Sequence, residues 1–451
     1  MPTPLASATH DRCEPGDELV AFLYPDVSGL NRGRAVPARD LERRLATGVG
    51  WVPADQAITV LGPLAEPNPW GTIGDLRLVP APATRTRVDL WPDRAPLHFY
   101  LCEARTLDGE PWDACPRALL RRMLQQFAEE TGLSLWAAFE HEFVLQGHIP
   151  APAPPFSMES LRLAEPFGTQ LSAALRLAGQ ELETFLPEYG DDQFEVTCTP
   201  REGLEAADSA SIVRELVRDV ARRQGWRASF APIVRPEGSG NGLHVHMSFR
   251  EADGAPAMHD DSRPGGLALV GARFAAGILR HLPALCAVAA PTTVSYLRLR
   301  PHRWSAATSG LAEANREAVL RIPTAVAFGG ATAAEGTRLE LRVADGAASP
   351  HLVLALAVAA GLEGIREALE PPPVLSGNLD ELAPDERARL GLDAVPRSLG
   401  QALDAFLADE LFRAVVSDDL RSAFASMKRA ELALLDDVSD EDACARYAAR
   451  Y

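Results

Sequence analysis

An α+β fold, in which a small strand-rich domain precedes a larger one built on a mostly antiparallel sheet with flanking helices, is predicted by three observations. Residues 18–90 alternate short apolar runs (19–23, 57–61, 76–79) with Gly and Pro turns, the pattern of a small domain of short strands. Beyond Arg117, segments of helical periodicity mix with strand-like runs and show no regular βαβ alternation. The chain has 451 residues, 47% of them hydrophobic, enough for about two or three domains with sizeable cores.

Taken in order, the strand-rich part ends near Asp108-Gly109-Glu110-Pro111, which divides the chain into 1–110 and 111–451. Over 117–131, Leu119, Leu120, Met123, Leu124 and Phe127 recur at helical spacing, and Gly132 stands where a C-cap belongs. Further helices are expected over 207–223, 267–282, 352–369, 399–413 and 420–435. Strand-like runs cover 136–145, 192–199, 242–249 and 338–343, and 371–396, opening with Pro371-Pro372-Pro373, reads as a loop or linker. No internal repeat is present, which excludes a solenoid.

Composition excludes several functions. With 44 basic against 62 acidic residues and a formal charge of −18 spread along the chain, the surface is not built to neutralise nucleic-acid phosphates or anionic lipid. The longest strongly apolar stretch, 350–362, is well short of the roughly 20 residues a membrane span needs. Residues 1–16 lack an apolar core and do not read as a signal peptide, so a cytoplasmic protein is expected. Cys13, Cys102, Cys115, Cys198, Cys286 and Cys444 lie far apart without a CxxC pair and read as free thiols. Lys428 is the only lysine, which leaves almost no candidate for lysine-dependent catalysis.

The chemistry lies in polar residues at i, i+2 spacing on the strand-like runs, where a strand puts both on one face. They are Glu140 and Glu142; Gln193 and Glu195; His244, His246 and Ser248; and Arg338, Glu340 and Arg342. A solvated outer face accounts for any one of them, but four such faces carrying Glu, His and Arg fit that account poorly. If the faces converge, Glu140 and Glu142 repel unless cations lie between them. Carboxylates with a single imidazole suit Mg²⁺ or Mn²⁺ better than zinc. Arginines beside it would serve phosphate or carboxylate groups, and the combination points to phosphoryl chemistry on ATP.

Other signals are weaker. Gly238-Ser239-Gly240-Asn241-Gly242 could cradle an anion or be only a turn ahead of a strand. Neither a Walker A sequence, nor GxGxxG after a strand, nor a Gly-x-Ser-x-Gly elbow is present, which leaves P-loop, Rossmann and serine-hydrolase readings unsupported. His10, His98, His141, His148, His259, His281 and His351 have no partner at ligand spacing and read as surface or satisfied structural residues.

At these residues the sequence resembles the glutamine synthetase family over nearly its whole length. Asp26-Val27-Ser28-Gly29 with Arg32-Gly33-Arg34 resembles the family's small β-grasp domain, and 74–91 its following segment. The catalytic match runs in family order through Glu140-His141-Glu142-Phe143, Glu188 with Gln193-Phe194-Glu195, 242–248, Asn315-Arg316 to Arg321, and Arg338-Leu339-Glu340-Leu341-Arg342. The resemblance implies one metal on Glu142, Glu188 and Glu195 and a second on Glu140, His244 and Glu340. It implies His246 and Ser248 along ATP, Arg316, Arg321 and Arg338 at its phosphates, and Gly240, Arg298 and Arg342 on the amino-acid substrate. It further implies two-step chemistry through an acyl phosphate, and a homododecamer of two hexameric rings whose active sites lie between neighbouring subunits.

The sequence departs from the family pattern in four places. Ser239 aligns with the family's substrate-binding Asn, and Val234-Arg235-Pro236 replaces a Lys-Pro. Trp304 stands where true glutamine synthetases carry a catalytic glutamate, and residues 48–55 show no convincing counterpart of the aspartate-bearing latch loop. The expectation is therefore an ATP-dependent carboxylate–amine ligase joining the γ-carboxylate of glutamate to an organic amine, with Trp304 at the acceptor. The other readings are a ligase for a different acid and a catalytically silent regulatory oligomer.

Overall fold

The computed structural model describes residues 15–147, 153–301, 303, 305–306, 308–377, 382–390, 392 and 395–451. In strand Leu19–Pro25 the alternate residues Val20, Phe22 and Tyr24 point into the core. This strand pairs antiparallel with Asn31–Pro37 and parallel with Leu97–Arg105, which carries Leu76–Pro80 and Thr86–Val88; Val49–Trp51 closes the far edge. The apolar run 57–61 forms no strand. It follows a 3₁₀ turn, Pro53–Ala57, and lies between Pro53 and Pro63, so it pairs only through an isolated Ile58–Leu64 bridge while still burying Ala57 and Val60.

The larger, 10-stranded sheet runs in the order Val374–Leu375, Thr308–Glu313, Ala318–Ile322, Leu339–Leu341, Leu243–Arg250, Ser134–Gln146, Gln193–Cys198, Leu182–Pro187. Arg201–Glu202 and Arg227–Ser229 also pair with Ser134–Gln146. Pairing is antiparallel except where Thr308–Glu313 meets its two neighbours. Helix Pro116–Thr131 ends at Gly132, whose φ of 72° is the left-handed cap the sequence implied. Helix Pro350–Arg366 is buried on nearly every side, as its uniformly apolar sequence requires. Its backbone meets helix Leu269–Arg280 at Gly277 and Gly364; a Cβ on Gly277 would lie 2.0 Å from the Ala360 carbonyl oxygen.

One expected helix is followed by another and one is divided. The 267–282 segment forms Leu269–Arg280, and beyond it Leu282–Ala289, bent from the first by 78°, continues with Pro283 in its first turn. The 399–413 segment breaks at Asp409, whose carboxylate accepts the Phe412 N–H at 2.9 Å and starts Glu410–Val415 after Leu399–Ala408 ends. The stretch 371–396 is more than a linker, because it adds strand Val374–Leu375 to the sheet edge and contains helix Pro384–Arg389. Among the described residues no single helix is long and apolar enough to cross a membrane. Cys102, Cys115, Cys198, Cys286 and Cys444 are free and buried, and Cys13 lies outside the described residues.

Candidate active site

Strand register builds the site. Glu140 pairs with His244 and Thr197, Glu142 with Glu195, His246 with Glu340, and Glu340 with Arg321. Directly paired residues project to the same face. The polar faces found in the sequence are thus one continuous face across five adjacent strands. Glu188 follows the Leu182–Pro187 strand and joins the same end, its N–H bonded to the Gln193 carbonyl at 2.8 Å. Burial of this face opposes ionisation, and only a dense set of opposite charges offsets that.

His244 Nδ1 lies 3.0 Å from Glu140 Oε2, and its Nε2 is 3.8 Å from Glu142 Oε1. His246 Nε2 approaches Glu140 Oε1 to 2.8 Å without the alignment of a hydrogen bond, and its Nδ1 accepts Arg338 Nε–H at 3.0 Å. Glu340 receives Arg321 Nη1 at 2.6 Å and also Arg342. Glu142 takes the Gly242 N–H at 2.7 Å. Among the described residues, two sets bring their ligand atoms within 4.8 Å of one another: Glu140, His246 and Glu340, and Glu140, Glu195 and His244. They differ from the triads the resemblance implied. Glu140 belongs to both sets, and His246, expected along ATP, stands beside carboxylates.

The electrostatics divide the carboxylates. Burial, and then the neighbouring Glu140, Glu142 and Glu188, push Glu195 up to about 9. Burial and Glu142 push Glu188 up to about 7. Glu340 is also buried, yet Arg342 and the two histidines outweigh that and bring it down to about 2. Burial opposes ionisation of Glu140 as well, and His246 and His244 overcome it to hold its carboxyl well below the usual range. So many carboxylates on one face, two of them forced toward protonation by burial and then by their neighbours, form a donor set that a divalent cation fits.

Arg298 and Arg342 are buried beside these carboxylates. Arg298 donates to the Val343 and Arg342 carbonyls at 3.2 and 3.1 Å, and a Cβ on Gly240 would lie 2.5 Å from its Cγ. Arg342 Nε donates to the Arg316 carbonyl at 3.0 Å. The positive field of Arg316 reaches Glu188 and Glu195. Ser248 continues the same face beyond His246, opposite Trp136. Ser239 abuts Gly190. Trp304 lies outside the described residues, as do His10 and His148.

His141, between Glu140 and Glu142, differs from expectation. Strand alternation turns it to the core against Phe230, and neither ring nitrogen has a hydrogen-bond partner among the described residues. Burial and the nearby Arg214 and Arg218 keep it neutral. The other described histidines have partners: His98 with Glu18, His259 with Thr337 and Asp261, His281 with Asp409 and Glu363, and His351 with Asp208. Sequence reasoning gave no role to Asn241 or Asp345. Both are wholly buried beside the site, and only their place next to assigned residues hinted at them.

A family model described as the catalytic domain of glutamine synthetase matches residues 113–447, and one described as the glutamine synthetase N-terminal domain matches 2–112. The chain belongs to the glutamine synthetase family. It is therefore an ATP-dependent, amide-forming ligase. It is 33% identical over 447 residues to the gamma-glutamylpolyamine synthetase of Streptomyces coelicolor, covering 96% of this chain and 93% of that protein. Against the glutamine synthetase of Pyrococcus horikoshii it is 29% identical over 425 residues, with 92% and 89% covered. A crystal structure of a novel glutamine synthase homolog superposes with a TM-score of 0.90 at 44% identity, covering 98% of this chain and 100% of that one. A GmaS/ADP complex gives a TM-score of 0.80 at 27% identity, with 94% and 96% covered.

Proposed function

We propose that the protein joins the γ-carboxylate of glutamate to an organic amine at the expense of ATP. A carboxylate oxygen attacks the γ-phosphorus as the bond to ADP breaks, giving an acyl phosphate. The amine nitrogen then attacks the acyl carbon, phosphate departs with the bonding pair, and the nitrogen gives up a proton. The observation that carries this reading is the single sheet face on which Glu140, Glu142, Glu195, His244 and Glu340 meet Arg321 and Arg342.

Divalent metal, Mg²⁺ or Mn²⁺, would be held by Glu142, Glu188 and Glu195 and by Glu140, His244 and Glu340, and when bound it neutralises phosphate charge. Arg316, Arg321 and Arg338, with His246 and Ser248, are assigned to ATP. Arg321 keeps its buried Nε without a hydrogen-bond partner among the described residues, which leaves a donor for phosphate. Gly240, Ser239, Arg298 and Arg342 are assigned to the acid. Similarity to a protein named gamma-glutamylpolyamine synthetase supports an organic acceptor, and so does Trp304. An indole face holds an alkylammonium by cation–π attraction of about 0.5–2 kcal/mol, whereas the glutamate it replaces suits ammonium. Ser239 in place of the family's Asn favours, as a second reading, an acid other than glutamate.

ADP release, with and without glutamate, tests this across ammonium and alkyl-, aryl- and polyamines in wild type and Trp304→Glu. Wild type is expected to prefer an organic amine and Trp304→Glu to shift toward ammonium. A higher kcat/KM for ammonium than for every amine overturns the acceptor assignment. ADP release that never depends on glutamate overturns the acid assignment.

A further inference from the structure

A directed chain of amides joins the two loops that flank the polar face. The Gln193 side chain, 3% exposed, accepts the Gly190 N–H at 3.0 Å through Oε1. Its Nε2 donates to the Gly240 carbonyl at 2.7 Å and to Asn241 Oδ1 at 2.9 Å. Asn241, fully buried, donates in turn through Nδ2 to the Ala231 carbonyl at 2.8 Å. An N–H at one end and a carbonyl at the other fix the direction of every bond, so neither amide can be flipped. A glutamate at 193 could still accept from Gly190 but would face two oxygens with nothing to donate.

The loops have no slack around this chain. A Cβ on Gly190 would fall 2.6 Å from Gln193 Oε1 and 2.9 Å from Ser239 Cβ, and one on Gly240 would fall 2.5 Å from Arg298 Cγ. One loop follows Glu188, whose carboxylate accepts the Tyr189 N–H at 3.1 Å, and the other presents Gly240 over Arg298.

We propose that Gln193 is a positioning residue: by clasping the 188–192 loop to the 238–242 loop it places the Gly240 backbone and Arg298 where the acid substrate binds. Its kinetic readout rests on the ligase reading above; its structural readout does not. The full-length protein is compared with Gln193→Met, which keeps the length and removes the hydrogen bonds, and Gln193→Glu, which keeps the shape and the acceptor. Amide hydrogen exchange is expected to rise at least about tenfold at Gly190 in Gln193→Met, which loses that amide's acceptor, and across 238–241 in both variants, the factor carried by one or two lost hydrogen bonds. KM for the acid should rise by a similar factor, while KM for ATP changes little.

A Gln193→Met protein with wild-type exchange and wild-type KM overturns the proposal, because Gln193 then only fills space. Faster exchange with an unchanged KM overturns it too, because the clasp then positions nothing. If neither variant folds, exchange in the wild-type protein decides: an unprotected Gly190 amide overturns the clasp, and a protected one supports it. A wild type that never uses glutamate overturns the glutamate assignment, while the exchange comparison still decides the clasp.

Discussion

Replacing His244 with alanine is expected to remove ATP turnover by more than about a hundredfold, since loss of even an outer-shell partner of a metal ligand costs about 10–100-fold. Mn²⁺ affinity should fall in parallel and the far-UV circular dichroism stay unchanged, because the imidazole contacts carboxylates and not the apolar core. Wild-type turnover and metal titration in this variant would remove His244 from the site. At this scale much of the site was legible, because strand periodicity alone places Glu140 with Glu142 and His244 with His246. Which side chains touch was not. The nearness of His246 to Glu140 depends on side-chain geometry across a strand pairing that spacing along the chain does not encode. Gln193 was visible as a polar partner of Glu195, but its clasp depends on two loops meeting in space.

At the scale of elements, packing strands side by side with their acidic faces aligned stores charge repulsion with a definite pH signature. Glu188 and Glu195 bind their protons more tightly folded than unfolded, since both are raised above the ordinary value of 4.5. The stability they permit is complete below pH 4.5 and is lost as pH rises through about 7 for Glu188 and about 9 for Glu195. Metal-free protein should therefore melt lower at pH 8.5 than at pH 6, and Mn²⁺ should raise the melting temperature more at the higher pH while releasing protons. Equal stabilisation by Mn²⁺ at both pH values, with no proton release, would contradict this charge arrangement. Periodicity located these strands well, and it located helices such as Pro116–Thr131 and Gly203–Arg223 within a few residues. It missed Phe167–Leu177, and it missed Asp440–Ala448 although Ser439 and the acidic first turn form a readable N-terminal signal. It ran through the break at Asp409 because a cap between two helices preserves their apolar period.

Over the whole molecule, the N-terminal sheet is fastened to the catalytic domain by buried charge. Arg117 holds Asp208 with two bonds of 2.9 and 2.8 Å and lies 3.6 Å from Glu103 of the N-terminal sheet, while His351 reaches Asp208 at 2.8 Å. Arg117→Ala removes the two-bond partner of buried Asp208, while Glu103 keeps Arg121 and Arg105, and should cost about 3–5 kcal/mol in chemical denaturation. A loss under about 1 kcal/mol would mean that solvent screens the pair. Arg214 adds a second fastening, donating to the Gly29 and Ala348 carbonyls at 2.9 and 3.0 Å. Held this way, the N-terminal domain still exposes Ile73 at 80%, Leu107 at 68% and Leu64 at 45%. The expected cover is a neighbouring subunit in a homododecamer of two hexameric rings, with active sites completed between chains. Light scattering should then give a mass near that of twelve 48.5 kDa chains. Ile73→Asp combined with Leu107→Asp should shift the population to smaller species, lower the specific activity, and leave the circular dichroism unchanged. A monomer with full activity at working concentration would show that one chain builds a complete site by itself.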